Sequence, residues 1–316
     1  GKSLQMTVTI GICPITEKVT TPDQVFERAH SACDEARNSS KSKTGNAVKY
    51  YLPKLADANE EDNSNLIAEI LERAISKDGL QLAFQPIISL RGESSEHYEA
   101  CVSTVPDEKG QSISAQEVLA CASKNDELGK KLDRWCILNS AKRLVEQRKT
   151  HPKTQLILTI TNATLRDESF PDWLSTAYKA ADLPSDALIL QFSELDATNY
   201  LTHARSFVEA TSAMGAKSCV SHFGCSLDPF KTLDHINAAM VKLDDSFSLD
   251  IQKKNESPEH LKELLGKINT LEKQSIVPFV ENATLLATLW QAGAHFIQGT
   301  YVQAPSDKME FTFSDE

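Results

Sequence analysis

Leu188-Ile189-Leu190-Gln191-Phe192-Ser193, an amphipathic stretch from Tyr200 to Met214, and then Ser218-Cys219-Val220-Ser221-His222-Phe223 make up one strand–helix–strand unit. The first short run is apolar at most positions, the second sets Cys219, Val220 and Phe223 among polar residues, and the stretch between them has helical spacing. The same unit recurs along the chain. Further strands are predicted at Leu82–Ile87, His97–Ser103, Leu156–Thr161, Ala239–Leu243, Ile276–Glu281 and Phe296–Val302. Helices are clearest at Lys131–Gln147, Phe170–Ala181, Glu259–Lys273 and Leu285–Ala292. Eight strands alternating with helices predict an α/β fold, a (β/α)8 TIM-like barrel. Polar residues gather where the apolar runs end, so Glu99, Thr161, Gln191, His222, Lys242, Glu281 and Gln298 are expected to converge on one mouth of that barrel.

Ahead of the barrel, the composition shifts twice. Met6-Thr7-Val8-Thr9-Ile10-Gly11 alternates like a strand, Pro22 to Arg37 has helical spacing, and Tyr50-Tyr51 ends a second short strand, giving a small α+β segment over residues 1–52. Residues 53–65 are polar and acidic and read as a linker, with the larger domain over 66–316 opening on a helix near Leu66 to Ile75.

The chain of 316 residues carries a formal charge of -11, with no cluster of Lys and Arg to offset it locally. Such a surface repels polyanions, which argues against nucleic-acid binding. Seven cysteines show no C-x-x-C spacing, and most lie in apolar context and read as reduced thiols that pack as small hydrophobes, the usage of a reducing cytosol. No apolar run approaches the roughly 18 residues that cross a bilayer. Gly1-Lys2-Ser3 has no apolar signal-peptide core and reads as a boundary cut into a longer chain. Dinucleotide-binding, P-loop, zinc-protease and serine-hydrolase motifs are missing from the sequence.

Taken in order, Gln85-Pro86-Ile87, Glu99-Ala100-Cys101-Val102-Ser103, Asp133-Arg134-Trp135, Thr159-Ile160-Thr161, Gln191-Phe192-Ser193-Glu194, Ser221-His222-Phe223-Gly224, Val241-Lys242-Leu243-Asp244, Pro278-Phe279-Val280-Glu281 and Gln298-Gly299-Thr300-Tyr301 resemble the EAL domain, the cyclic di-GMP phosphodiesterase family. Residues 6–51 resemble the closing part of a GGDEF domain. Active EAL domains use two divalent metals, which demand several carboxylate ligands. Here the family's Asn, Glu and Asp-Asp positions hold Thr159, Gln191, Ser221 and His222, and the first carboxylate of its E-G-V-E is Pro278. The resemblance therefore implies no catalytic residues, no metal and no hydrolysis. Lys242, which matches the family's catalytic lysine, is left to a phosphate contact or a pairing with Asp244.

Within the family, the chain resembles the degenerate, FimX-like branch. It implies a receptor that binds cyclic di-GMP without cleaving it, meets a PilZ-domain adaptor and serves type IV pili and twitching motility. A bacterial cytosol, recruitment to the cell pole, dimer formation and the lack of any membrane insertion belong to the same expectation. Carried over by position, the ligand-binding residues are Gln85, Glu99, Cys101, Ser103, Asp133, Lys242, Pro278, Phe279, Glu281 and Gln298. Phe279 stands where active enzymes have glycine. It reads either as an aromatic at the rim, where stacking a base contributes about 1–3 kcal/mol, or as ordinary core.

Against binding stands Ser103, in place of the arginine that ends the family's E-x-L-x-R. A lost charge-assisted hydrogen bond costs about 1.5–3 kcal/mol, roughly 10- to 150-fold in affinity. A scaffold that binds no nucleotide is the alternative. His222 reads as structural, and Trp135 as part of a packing stripe with Leu132 and Leu138. Glu99 and Glu281 also suggest glycoside hydrolysis, but no aromatic sugar platform accompanies them.

Overall fold

The computed structural model describes residues 9–13, 22–38, 47–50, 60–94, 96–106, 112–226, 228–252 and 259–313, which fall into two units, 1–65 and 66–316. In the first unit, β1 (Thr9–Ile12) and β2 (Ala47–Tyr50) pair in parallel, with α1 (Pro22–Asn38) between them in sequence. A Cβ on Gly11 would meet the Ala29 carbonyl oxygen at 1.9 Å, so glycine is what lets the helix backbone lie directly on the strand. Residues 6–8 and Tyr51, expected in these strands, lie outside the described residues.

α2 runs from Glu60 to Ser76, so residues 60–65, read above as linker, are helical. Acidic residues favour the first turn of a helix, and the composition that suggests a linker suits a helix start equally well.

In the second unit, β3 (Leu80–Ser89), β4 (Glu96–Thr104), β5 (Thr154–Thr159), β6 (Leu188–Ser193), β7 (Lys217–Phe223), β8 (Met240–Leu243), β9 (Gln274–Val277) and β10 (Phe296–Gln298) close a barrel in the order β10-β3-β4-β5-β6-β7-β8-β9. The helices are α3 (Ala115–Ala122), α4 (Asp126–Arg148), α5 (Asn162–Leu165), α6 (Phe170–Ala181), α7 (Glu194–Asn199), α8 (Leu201–Ala213), α9 (Pro229–His235), α10 (Asp245–Gln252), α11 (Glu259–Thr270) and α12 (Thr284–Ala292). All eight predicted strands are present. One of them, β3, runs antiparallel to both its neighbours, β4 and β10. The connection from Ser89 to Glu96 is too short for a crossover helix, so it turns back as a hairpin.

Inside the barrel Ile87, Ile157, Ile189, Cys219, Met240, Ile276 and Phe296 form a dry plug. The larger core, including Phe84, Leu156, Leu190, Phe192, Val220 and Val277, packs the outer faces of the strands against the helices. Leu132 is fully buried in a second cluster with Trp135 packed against it, whereas Leu138 is exposed and lies off that stripe.

Three strands stop earlier than the apolar pattern suggests: β5 ends at Thr159, two residues short, and the last two strands fall further short. β9 ends at Val277 because Pro278 has no N–H for the ladder and Phe279 takes a left-handed φ of 59°. Beyond β10, the Val302 and Gln303 amides donate back to the Gly299 carbonyl and the chain turns away.

These two strand ends are fastened together. Val280 N–H donates to Gln298 O at 3.0 Å and Tyr301 N–H to Val280 O at 3.1 Å. A Cβ on Gly299 would lie 2.1 Å from the Val280 oxygen. Gly299→Ala must push the Phe279-Val280 segment off its seat, and is expected to cost about 1–3 kcal/mol of unfolding free energy in urea titrations. An unchanged midpoint would show that this segment is not held by the close approach.

Candidate functional site

At the C-terminal ends of the parallel strands a cavity of about 670 Å³ opens, lined by residues of every barrel strand except β9, by α3, and by the turns after β9 and β10. Glu99, Thr161, Gln191, His222, Lys242, Glu281 and Gln298 all line it.

Glu99 is the centre. Its side chain is 10% exposed, and Lys242 Nζ donates to Oε2 at 2.7 Å. Gln298 Nε2 donates to the same oxygen at 2.6 Å, while Gln191 Nε2 donates to Oε1 at 2.8 Å and to Thr159 Oγ1 at 2.9 Å. Gln298 Nε2 also reaches Gln85 Oε1 at 3.1 Å, and Gln85 Nε2 donates to Gln303 O at 3.0 Å. Side chains of β3, β4, β5, β6, β8 and β10 are thus stitched across the barrel mouth. Burial alone would push the Glu99 carboxyl up; the Lys242 charge and hydrogen bond, then Gln298 and Gln191, reverse this and leave it below the ordinary carboxylate range. Burial likewise pulls Lys242 down, and Glu99 more than restores it. Glu99 and Lys242 stand as an ion pair, with donors on both carboxylate oxygens, and Glu99 offers no free face for a glycosidase nucleophile.

Of the residues assigned by resemblance, Gln85, Glu99, Cys101, Lys242, Pro278, Phe279, Glu281 and Gln298 line the cavity. Two do not. The Ser103 hydroxyl accepts from Gln81 Nε2 at 3.2 Å on the neighbouring strand, outside the cavity lining. Asp133 is buried beneath the wall, where Oδ2 accepts from the Thr161 amide at 2.8 Å and the Thr161 hydroxyl at 2.7 Å. Its role is to set Thr161 at the start of α5; burial pushes its carboxyl up to about 6 against the hydrogen bonds of Thr164 and Thr161. Burial also drives the Cys101 thiol up to about 12, so it faces the cavity protonated.

Lys242 does not pair with Asp244. Although two residues apart, Asp244 lies past the end of β8, where its Oδ1 accepts from the Ser246 amide and caps α10. Its other oxygen meets His222 Nδ1 at 3.2 Å. That contact holds Asp244 well below the usual carboxylate range and raises His222. His222 is therefore no packed structural residue: its side chain is 62% exposed and faces the cavity. Phe279 likewise sits at the rim, 45% exposed, rather than in the core.

Sequence reading missed α3, which forms one wall through Gln116, Leu119 and Ser123. Its start was legible: Ser114 and Glu117 make a capping box, the Ser/Thr-x-x-Glu pattern of helix N-termini. Asp196, also in the lining, stands three residues after the N-cap Ser193 in a Ser-x-x-Asp pattern, whereas Asp245 carries no local signal of its own. The carboxylates of the lining are Glu99, Asp196, Asp245 and Glu281; among the described residues no group of three or more His, Cys, Asp or Glu is placed to hold a metal ion.

Replacing Lys242 by Met leaves Glu99 buried without its cation, which is expected to cost about 3–5 kcal/mol near neutral pH. In the unaltered chain the lowered Glu99 contributes stability above its unfolded pKa and loses it as pH falls. In Lys242→Met the folded pKa rises above the unfolded one, so the deficit shrinks as pH is lowered toward that of a free carboxylate. Urea midpoints of both proteins across this pH range test it; a deficit independent of pH would mean the pair is not the source.

The EAL domain family matches residues 68–305. The structure is similar to the crystal structure of the FimX EAL domain from Pseudomonas aeruginosa bound to c-di-GMP, with 42% identity and a TM-score of 0.72 over 78% of this chain and 99% of that one. It is also similar to the Xanthomonas citri FimX EAL domain in complex with c-diGMP, with 27% identity and a TM-score of 0.72 over 82% of this chain and 100% of that one. Curated relatives are more distant. An uncharacterized 76.5 kDa protein of Thiocystis violacea is 23% identical over 283 residues, 90% of this chain and 40% of that protein. Cyclic di-GMP phosphodiesterase PdeR of Escherichia coli is 24% identical over 241 residues, 76% of this chain and 36% of that protein. The chain thus spans 40% or less of the length of these two relatives. Among the described residues no helix is long and apolar enough to cross a membrane. With residues 68–305 matched and eight strands closed around this cavity, the chain belongs to the EAL domain family, and its barrel is FimX-like.

Proposed function

We propose that the barrel is a receptor for cyclic di-GMP that binds the dinucleotide without hydrolysing it. The observation that carries this reading is the saturation of Glu99 by Lys242, Gln191 and Gln298. A two-metal phosphodiesterase needs several free anionic oxygens around its ions and a base beside the metal-bound water. Here an amide hydrogen of Gln191 points at Glu99 and the Lys242 ammonium neutralises it, so the residues do not fit a metal pair. Hydroxyl and amide groups at Thr159, Gln191 and Ser221 are poor replacements for carboxylates toward hard cations. The cavity is of a size that suits a small ligand, and Phe279 offers a flat face at its rim.

From the FimX likeness we extend the proposal to a PilZ-domain partner, an output in type IV pili and twitching motility, and a place in the bacterial cytosol. Residues 1–52 would then be the end of a GGDEF domain, which a parallel β1–β2 pair flanking α1 supports. Ligand binding would act by shifting populations, bounded by its differential affinity for two states of the partner-facing surface. The second reading, a scaffold without nucleotide, draws support from Ser103 and from the acidic lining.

Calorimetric titration with cyclic di-GMP separates these readings, since saturable binding supports the receptor and silence supports the scaffold. Chromatography after incubation with Mg²⁺ or Mn²⁺ should return the dinucleotide intact; accumulation of the linear product would overturn the proposal.

Phe279 gives a sharper test because its backbone and its ring pull in opposite directions. A non-glycine residue at φ 59° costs about 1–3 kcal/mol, while glycine's greater unfolded-state entropy returns about 0.5–1. Phe279→Gly is therefore expected to raise stability by up to about 2 kcal/mol and to weaken cyclic di-GMP binding by about 5- to 150-fold. Undiminished affinity would mean that no base stacks there.

A further inference from the structure

We propose that His222 contacts a phosphate of the bound ligand and supplies the positive group that Ser103 no longer provides. This rests on the receptor reading above. Three features of the backbone and side chains converge on it. β7 and β8 slip register between Val220 and Phe223: Val220 pairs with Val241 and Phe223 with Leu243, so three steps on one strand oppose two on the other. An irregularity of this kind re-aims a side chain beside a site. Within it, His222 has a left-handed φ of 51°, an unfavourable conformation for a residue with a Cβ. The strained peptide brings an exposed imidazole into the cavity beside the buried Ser221, which also lines it, while Phe223 packs into the wall.

The third feature is Asp244. Its carboxylate accepts only, so the 3.2 Å contact fixes a proton on His222 Nδ1 and leaves Nε2 as the free edge of the ring. The groups that face the imidazole are Asp244, Asp245 and Lys242. Of these, Lys242 is already engaged by Glu99, and it is the lone Lys or Arg among the described residues of the lining. A dianionic ligand entering a cavity that also holds Asp196, Asp245 and Glu281 meets one further group able to carry positive charge, His222, whose Nδ1 is held by Asp244 and whose Nε2 edge is turned to the ligand. Protonated at Nε2, it donates a charge-assisted hydrogen bond to a phosphate oxygen, while Asp244 acts as a positioning residue.

Calorimetry on the full chain with cyclic di-GMP, comparing the unaltered protein with His222→Ala and Asp244→Asn, tests this. His222→Ala is expected to weaken binding about 10-fold or more, and Asp244→Asn by a smaller factor while shifting the His222 ring resonances of the ligand-free protein. In the unaltered chain labelled with ¹⁵N-histidine, the His222 Nε2 resonance is expected to move on adding cyclic di-GMP and to stay put on adding guanosine, which lacks phosphate. This second measurement stands even if the Ala variant folds poorly. Binding by the unaltered chain with no loss in His222→Ala, or an Nε2 resonance indifferent to cyclic di-GMP, overturns the phosphate contact and leaves the receptor reading intact. Failure of the unaltered chain to bind overturns both.

Discussion

The ion pair between Glu99 and Lys242 is the constraint around which the barrel mouth is organised. Two opposite charges removed from water repay their desolvation only when the geometry is close and the remaining lone pairs are filled. Gln191 and Gln298 fill them, and Thr159 and Gln85 hold those amides in place. Six of the eight strands therefore meet in one hydrogen-bonded layer above the apolar plug of Ile87, Ile157, Ile189 and Phe296. Such a layer is sensitive to every member, because loss of one donor exposes a buried charge and not merely a contact. It also carries the reading proposed above. A carboxylate closed off by an ammonium and two amides behaves as a structural anion, and the same residue with metal ions before it would be a ligand.

Much of this was legible before any coordinates. Strands such as Leu188–Ser193 announce themselves because a doubly covered strand is apolar at nearly every position, and the polar residue at each strand end is conspicuous for that reason. The convergence of most of these residues on one cavity follows from barrel closure, whereas His222 also needs the register slip and left-handed φ that aim it there. What sequence could not reveal is how neighbouring polar groups choose partners. Lys242 and Asp244 share strand parity, yet the strand stops between them, and Asp244 turns to cap α10 and to hold His222. Asp133 sits on a helix that was correctly expected, but which side of the wall its carboxylate reaches is a matter of helix rotation. The reversed direction of β3 was implied by a short connection that periodicity does not weigh.

Strain is concentrated at the rim. Among the described non-glycine residues with positive φ, Asp78, Asp182 and Glu272 belong to helix ends or turns, whereas His222 and Phe279 lie at strand ends and line the cavity. A left-handed residue at a helix end relieves the last turn, which accounts for the first group. No such local relief applies to the other two. Backbone strain persists where the surroundings over-determine it, and here the surroundings are visible: Asp244 clasps one ring, and the Val280 hydrogen bonds to Gln298 and Tyr301 lock the segment that carries the other.

The two strained side chains are also the complementary halves of what a nucleotide presents, an aromatic face and a phosphate. Their placement bears on the acidic balance of the lining. Attraction between an anion and a protein need not be built from excess positive charge if the carboxylates present are already committed or lie apart from the anion. Glu99 is committed to Lys242, and Asp196 to the Ser193 hydroxyl at 2.7 Å. Asp245 is half-buried, where burial raises its carboxyl above the ordinary aspartate value against the nearby Lys242 and His222. That leaves Glu281 beside Phe279, where a carboxylate suits the donor edge of a stacked purine better than its phosphate. The cavity is therefore divided by chemistry, with acceptor and aromatic groups after β9 and the imidazole at the end of β7. On the receptor reading proposed above, a ligand that satisfies both would present base and phosphate together, which would favour a nucleotide over either fragment.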